Sequence, residues 1–315
     1  MSTTDISKWG DDAMFQAKPI LKVGDRVVPQ VFLLSATPDP LGALAAGFLM
    51  YKGEPVMDLA DITDDERRWA WEESIKGHLK APWEFIDFQF IIEGVTRAFT
   101  HQLVRQRTAV YAQESLRFAV KEGFADEVAV PHSVRGSEAS EKIWSKSVKQ
   151  TEAAYESLVN MGIPAEDARG LLPHAVTTRV IYKTTLRGLL EHAGNRLCTQ
   201  AQFEWRAVFM GIMRAIRHHR SSYPSIDPDT GVVHQNTSAS WQWELIASPV
   251  PQTFAPICYR LGHCPWMGTL DRGCTIRERV NEGKFDEIDP MEWMANPWAG
   301  ITSPDNPRPG EADGS

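Results

Sequence analysis

Apolar and polar positions along this chain follow two periods, and each period predicts its own kind of element. Over residues 199–218, Trp205, Val208, Phe209, Ile212 and Ile216 fall on one stripe, the spacing of a helix that buries one face. Helices are also expected over residues 41–51, 64–78, 137–160, 165–170 and 185–195. The second of these opens on Asp64, Asp65 and Glu66, whose charge suits a helix N-terminus. Residues 31–34, 86–95 and 175–184 read as strands, the last through its β-branched residues. Beyond Arg220 the pattern fades. Residues 221–256, rich in Pro, Ser and Thr, read as loops draped over a body, and residues 302–315 as a disordered tail.

Within this frame, residues 97–118 (RAFTHQLVRQRTAVYAQESLRF) combine both periods. Phe99 and Leu103 lie four apart, as do Arg97, His101 and Arg105, which predicts a helix over 97–106. From Tyr111 to Phe118, Tyr111, Gln113, Ser115 and Arg117 alternate with Ala112, Glu114, Leu116 and Phe118, which predicts an extended segment. Three guanidiniums and a hydroxyl in so short a span suit phosphate oxygens, since Arg offers planar paired donors that stay charged.

Size and charge narrow the setting. The chain has 315 residues, 43% of them hydrophobic, enough for one large core or one core with an appendage. A net charge of -8 argues against nucleic acid as a partner, so the cationic stretch is a local site suited to a small anion. The longest apolar run, residues 41–51, is too short to span a bilayer. The N-terminus lacks a signal-peptide profile, and four cysteines without a regular framework fit a reducing cytosol. A cytoplasmic location and no membrane partner are therefore expected.

Arg105-x-Arg107 followed by Ser115-x-Arg117 resembles the signature of the flavin-dependent thymidylate synthases. Further blocks agree with that family in order and spacing: Thr37-Pro38-Asp39-Pro40, Gly77-His78 with Glu84, Arg169-x3-Pro173, Arg179, Arg187, Arg196-Leu197-Cys198 and Ala201-Gln202-Phe203-Glu204. The departures are Gln106 for the motif's His, Val110 for its Ser, Ala112 for its Asn, Phe85 for a His, and Thr185 and Glu191 where the family commonly has Asn.

The resemblance implies an α/β (α+β) fold, a mixed sheet with flanking helices, assembled as a homotetramer with shared sites. It implies FAD as cofactor, with NADPH and methylene-tetrahydrofolate as cosubstrates, and a pyrimidine nucleotide as substrate. Gln102, Ser115, Arg117 and Arg169 would hold the nucleotide phosphate. Arg196 would lie against the pyrimidine and polarise its carbonyl edge, which makes it the catalytic candidate. His78, Arg105, Gln106, Arg107 and Arg187 would serve the flavin. The expected activity is reductive methylation of dUMP at C5 to dTMP. The alternatives are the same chemistry on dCMP or UMP, with a methyl or hydroxymethyl product, or a paralogue that binds flavin or nucleotide without turnover.

The expected organisation is a leader over 1–30, a catalytic domain over 31–220, an extension packed on the core over 221–301, and the tail. Cys198, with apolar helical neighbours, reads as packing. Cys258, His263, Cys264 and Cys274 contain no Cys-x-x-Cys pair, so ordinary thiols and no metal are expected.

Overall fold

The structure is a computed structural model that describes residues 15–16, 22–23, 26–226, 230–248, 253–265, 274 and 276–288. The chain mixes helices and strands, as expected. Its main sheet has four strands, β1 (Gln30–Ala36), β2 (Asp87–Thr96), β3 (Ala109–Gln113) and β4 (Thr177–Thr185), in the order β1-β2-β4-β3. The expected mixed sheet is corrected to an antiparallel one. Thr37 N–H bonds Asp87 O at 3.0 Å, Leu186 N–H bonds Ile86 O at 2.7 Å and Arg97 N–H bonds Val176 O at 3.1 Å, so partner positions run in opposite directions.

By contacts the chain divides into two compact units, and the division falls inside three of these strands. One unit comprises Met1–Val28, Glu93–Gln102 and Ala112–Val180; the other comprises Pro29–Ile92, Leu103–Tyr111 and Ile181–Ser315.

In the larger unit, α1 (Pro40–Lys52) starts where Asp39 accepts the Gly42 N–H and Pro40 occupies the first turn, and it stops at Gly53 with φ of 82°. A reciprocal Thr63–Glu66 capping box starts α2 (Asp64–Lys76). Asp39 does more than cap. It is fully buried, receives the Arg67 guanidinium at 2.6 Å and accepts the Tyr223 hydroxyl at 3.2 Å. Burial opposes the charge on Arg67, but Asp39's hydrogen bonds and charge outweigh it and hold the guanidinium above its ordinary value. The Thr37–Pro40 turn is thereby tied to α2 and to the hairpin Ser222–Ile226/Val233–Thr237.

That hairpin and the helix Ser240–Ile246 replace the loops expected over 221–256. The Pro, Ser and Thr content of this stretch resembles that of loops, and one strand contains Pro224. In a two-stranded ribbon a proline can sit where its missing N–H leaves no gap in the ladder. The helix expected from 199 starts only at Glu204, because turns closed by Ala201 N–H on Cys198 O and Trp205 N–H on Gln202 O precede it. Its stripe is buried as the pattern requires, with Trp205, Val208, Phe209, Ile212 and Ile216 each at most 1% exposed.

In the smaller unit, α4 (Glu138–Asn160) packs Val148 and Tyr155 against Val120, Phe124, Ala168 and Val176. Here α3 (Arg97–Leu103) ends three residues earlier than its pattern suggested. The extended segment expected to reach Phe118 stops at Gln113. Ser115 closes a turn there, accepting the Arg117 N–H on its hydroxyl at 3.3 Å and the Ala119 N–H on its carbonyl at 3.0 Å. Residues 1–14 and 289–315, with the start of the expected leader and the expected tail, lie outside the described residues. Among the described residues no helix is long and apolar enough to cross a membrane.

Candidate active site

Two clusters of the expected residues form, one in each unit. The larger unit holds a groove of about 450 Å³ lined by Arg105, Gln106, Thr108, Gly188, Glu191, His192, Asn195 and Arg196. One wall is α5 (Leu186–Arg196), whose N-terminus is capped by Thr185 accepting the Gly188 N–H at 3.2 Å. Thr185 is thus spent on a helix start. Gln106 enters from the segment before β3 with both ends of its amide engaged. Its Nε2 donates to Gly188 O at 2.8 Å and its Oε1 accepts the Tyr182 hydroxyl at 2.8 Å. Tyr182 is 1% exposed and stacks on Tyr111, with centroids 5.6 Å apart. Burial raises both phenols, Tyr111 to about 12, so both remain donors at any working pH. Tyr111 in turn donates to Leu103 O and Gln106 O at 2.8 and 2.9 Å. A Cβ on Gly188 would stand 2.6 Å from Thr184 Oγ1 and 3.2 Å from Gln106 Nε2, so the close approach needs glycine.

Arg196, one turn beyond His192, closes the groove. Its Nε donates to His192 Nε2 at 3.3 Å and its guanidinium lies 4.7 Å from the Trp205 ring centroid. Burial, then the charge of Arg196, drives the His192 pKa down to about 3. The imidazole is therefore neutral, and by accepting at Nε2 it must carry its proton on Nδ1. Burial and then Arg105 lower the Arg196 value as well, though a guanidinium remains charged.

Arg187 and His78 are not among the residues lining the groove, though Arg187 pairs with Glu191, which is. Arg187 pairs with Glu84 at 2.7 Å and Glu191 at 3.1 Å on a part-exposed surface, so the charge of Glu191 is partly met within the chain. His78 and Arg107 are exposed and belong to no cluster described here.

In the smaller unit, Arg117 and Arg169 meet at Glu166, and Ser115 accepts the Arg117 N–H two residues before it. Arg117 pairs with the Glu166 carboxylate at 2.9 Å, both about half exposed, and Arg169 Nε donates to the Glu166 carbonyl at 3.0 Å. Gln102 lies in the same unit, at the end of α3. Beneath Ser115 runs a buried charge network. Glu114 meets Lys121, 2% exposed, at 3.0 Å and Arg179 at 3.8 Å, while Glu93 meets Arg179 at 3.2 Å.

His192, Tyr182, Thr108 and Asn195 were not singled out from sequence. For His192 a signal existed, since it stands one helical turn before Arg196 on the same face. For Tyr182 none did, because its role depends on a partner 76 positions away.

The family model described as thymidylate synthase complementing protein matches residues 32–220. The chain is 35% identical over 205 residues to the flavin-dependent thymidylate synthase of Geobacter sulfurreducens, an alignment that covers 64% of this chain and 87% of that one. It is 31% identical over 218 residues to the flavin-dependent thymidylate synthase of Pyrococcus abyssi, covering 66% and 80%. In backbone it is similar to a UMP/dUMP methylase, PolB from Streptomyces cacaoi bound with 5-Br dUMP. The TM-score is 0.52 at 18% identity over 60% of this chain and 90% of that one, a likeness of fold.

Proposed function

The chain belongs to the thymidylate synthase complementing protein family, that of the flavin-dependent thymidylate synthases, and on that premise we propose that it methylates dUMP at C5 to give dTMP. The observation that carries this reading is the fixed Arg196 at the groove, held between neutral His192 and Trp205. A guanidinium held in place before substrate arrives stabilises charge as it develops on the pyrimidine carbonyl edge, without reorganising during the reaction. When C5 bonds to the incoming carbon, Arg196 stabilises the charge carried on the ring oxygens, and in this reading, as the family resemblance implies, no cysteine nucleophile takes part.

A flavin suits the groove's donor set. Arg105, the Thr108 hydroxyl and the Asn195 amide offer hydrogen bonds to a flat ring system and its anionic tail. Bound FAD supplies the reducing equivalents, drawn from NADPH, that turn a methylene from methylene-tetrahydrofolate into a methyl group. The chain's own residues bind, orient and polarise. Ser115, Arg117 and Arg169, with Gln102, take the nucleotide phosphate in this reading, and Glu166 holds Arg117 until the phosphate displaces it. A homotetramer with shared sites accompanies the reading.

Glu191 favours a second reading, because it brings a carboxylate to the groove that would meet the base: the same chemistry on dCMP or UMP. The test is release of tritium from dUMP labelled at C5, in the presence of FAD, NADPH and methylene-tetrahydrofolate. Release that requires all three supports methylation of dUMP. No release from dUMP, with release from labelled UMP or dCMP, moves the proposal to the second reading.

A further inference from the structure

Cys258, Cys264 and Cys274 lie near one another in sequence and Cys198 well before them, yet all four line one cavity. Cys198 follows α5, Cys258 sits in the short helix Ile257–Leu261, Cys264 follows that helix, and Cys274 precedes the short helix Arg277–Asn281. The cavity is small, about 20 Å³, on the scale of a single water or ion, and its other walls include Leu197, Ile257, Ile276 and Val280. All four cysteines are free thiols. Two backbone features place them. Gly262, at φ of 73°, turns the chain from Cys258 towards Cys264, and the Cys264 N–H donates to Asn281 Oδ1 at 2.9 Å.

We propose that Cys198, Cys258, Cys264 and Cys274 form a tetrathiolate site for one structural zinc ion. Zinc takes four thiolates tetrahedrally in closed sites, and no other residue type is needed to complete the set. The charge balance agrees. Zinc on four thiolates leaves a doubly negative centre, which buried in an apolar wall requires cations beside it. Arg206 is fully buried on the helix Glu204–Arg217, and Arg277 lines the cavity itself. Burial disfavours the Arg206 charge, and the groups that favour it are Cys198 and Cys274. Among the described residues the side chains do not already stand as a ready metal cage, so the thiols turn inward about their Cα–Cβ bonds to close on the ion. Each loses a proton as it does so.

Sequence alone hides such a site, because its ligands are not paired as Cys-x-x-Cys and Cys198 lies far from the other three. Cys198 lies within residues 32–220, the span of the family model, and the other three lie beyond it. The ion would thus staple the short helices Ile257–Leu261 and Arg277–Asn281 onto the end of α5, inside the larger unit.

The test is the metal content of the full-length chain as purified without chelator, measured by mass spectrometry of the elements. About one zinc per chain is expected. A mercurial that titrates thiols should release it, and Cys258→Ser and Cys274→Ser should each lower it at least tenfold. Replacement by cobalt(II) should give the intense visible absorption of a tetrahedral thiolate site. Unmodified chain that carries no zinc and takes up no cobalt, with four thiols that react only on unfolding, would overturn the proposal and leave four buried thiols filling a core. Isolation of the unmodified chain with two of these cysteines disulfide-linked and no metal would overturn it equally. Neither result depends on the serine variants folding or on the chain's catalytic activity.

Discussion

The groove around Arg196 and the cluster around Arg117 are both cationic, yet they are built on opposite plans. In the groove, the side chains are held by buried neutral partners: Gln106 by Tyr182 and Gly188 O, Arg196 by His192 and Trp205. Such holds are expensive to break, because a buried donor or acceptor left alone loses about 1–3 kcal/mol. At the other cluster, Arg117 is held by Glu166 across a half-exposed pair. Exposed pairs of that kind are worth about 0–1 kcal/mol. On the proposed function, the groove is organised before ligand arrives, as charge stabilisation would require, and the Arg117–Glu166 pair would exchange easily with an incoming phosphate.

The contrast can be broken most sharply at Arg196. Arg196→Ala is expected to lower methylation about 100- to 1000-fold or more while flavin remains bound, as read by product formation and by flavin absorbance of the purified variant. Loss of flavin with turnover retained would contradict the role given to this residue. At the other cluster, Arg117→Ala is expected to weaken nucleotide binding about 10- to 100-fold with flavin binding unchanged, as titration of the flavin spectrum with nucleotide would show.

The neutral hold on Arg196 has a consequence for stability against pH. His192 is depressed to about 3 in the folded chain, against about 6.5 when unfolded. As pH falls below the unfolded value, the unfolded chain takes up a proton that the folded chain refuses, so stability drops from about pH 6.5 down to about 3. At pH 5 this amounts to about 2 kcal/mol. His192→Gln, which keeps an acceptor for Arg196, should lose that component. Urea midpoints at pH 7 and pH 5 should lie closer together in the variant, and an unchanged gap would mean His192 is protonated when folded. The smallest effect is expected at Glu166. Glu166→Gln releases Arg117 and should tighten nucleotide binding by a few-fold. Weaker binding by calorimetry would show that the carboxylate orients the guanidinium.

Much of this was legible before any coordinates. The helical stripe of Trp205 to Ile216 and the β-branched run over 175–184 predicted their elements, because burial of one face follows directly from period. Arg105 and Arg117 were legible through their type and spacing, Arg169 and Arg196 through the family resemblance, and these four fall in two clusters. What the sequence hid were partners remote along the chain. Tyr182 for Gln106, Glu166 for Arg117 and Cys198 for the later cysteines are set by topology, which no local window contains. The paired strands Ser222–Ile226 and Val233–Thr237 were hidden for another reason, since their composition is that of loops, while Tyr223 and the neighbouring Ser221 bond Asp39 and Pro38, remote in sequence.

The most direct test of the account is a product assay by mass spectrometry on the purified chain. FAD, NADPH and methylene-tetrahydrofolate would be supplied, with dUMP, UMP and dCMP offered together. Gain of one methyl group on dUMP is expected, in preference to the other two. Flavin bound and reduced by NADPH, with no methyl gain on any of the three, would contradict it.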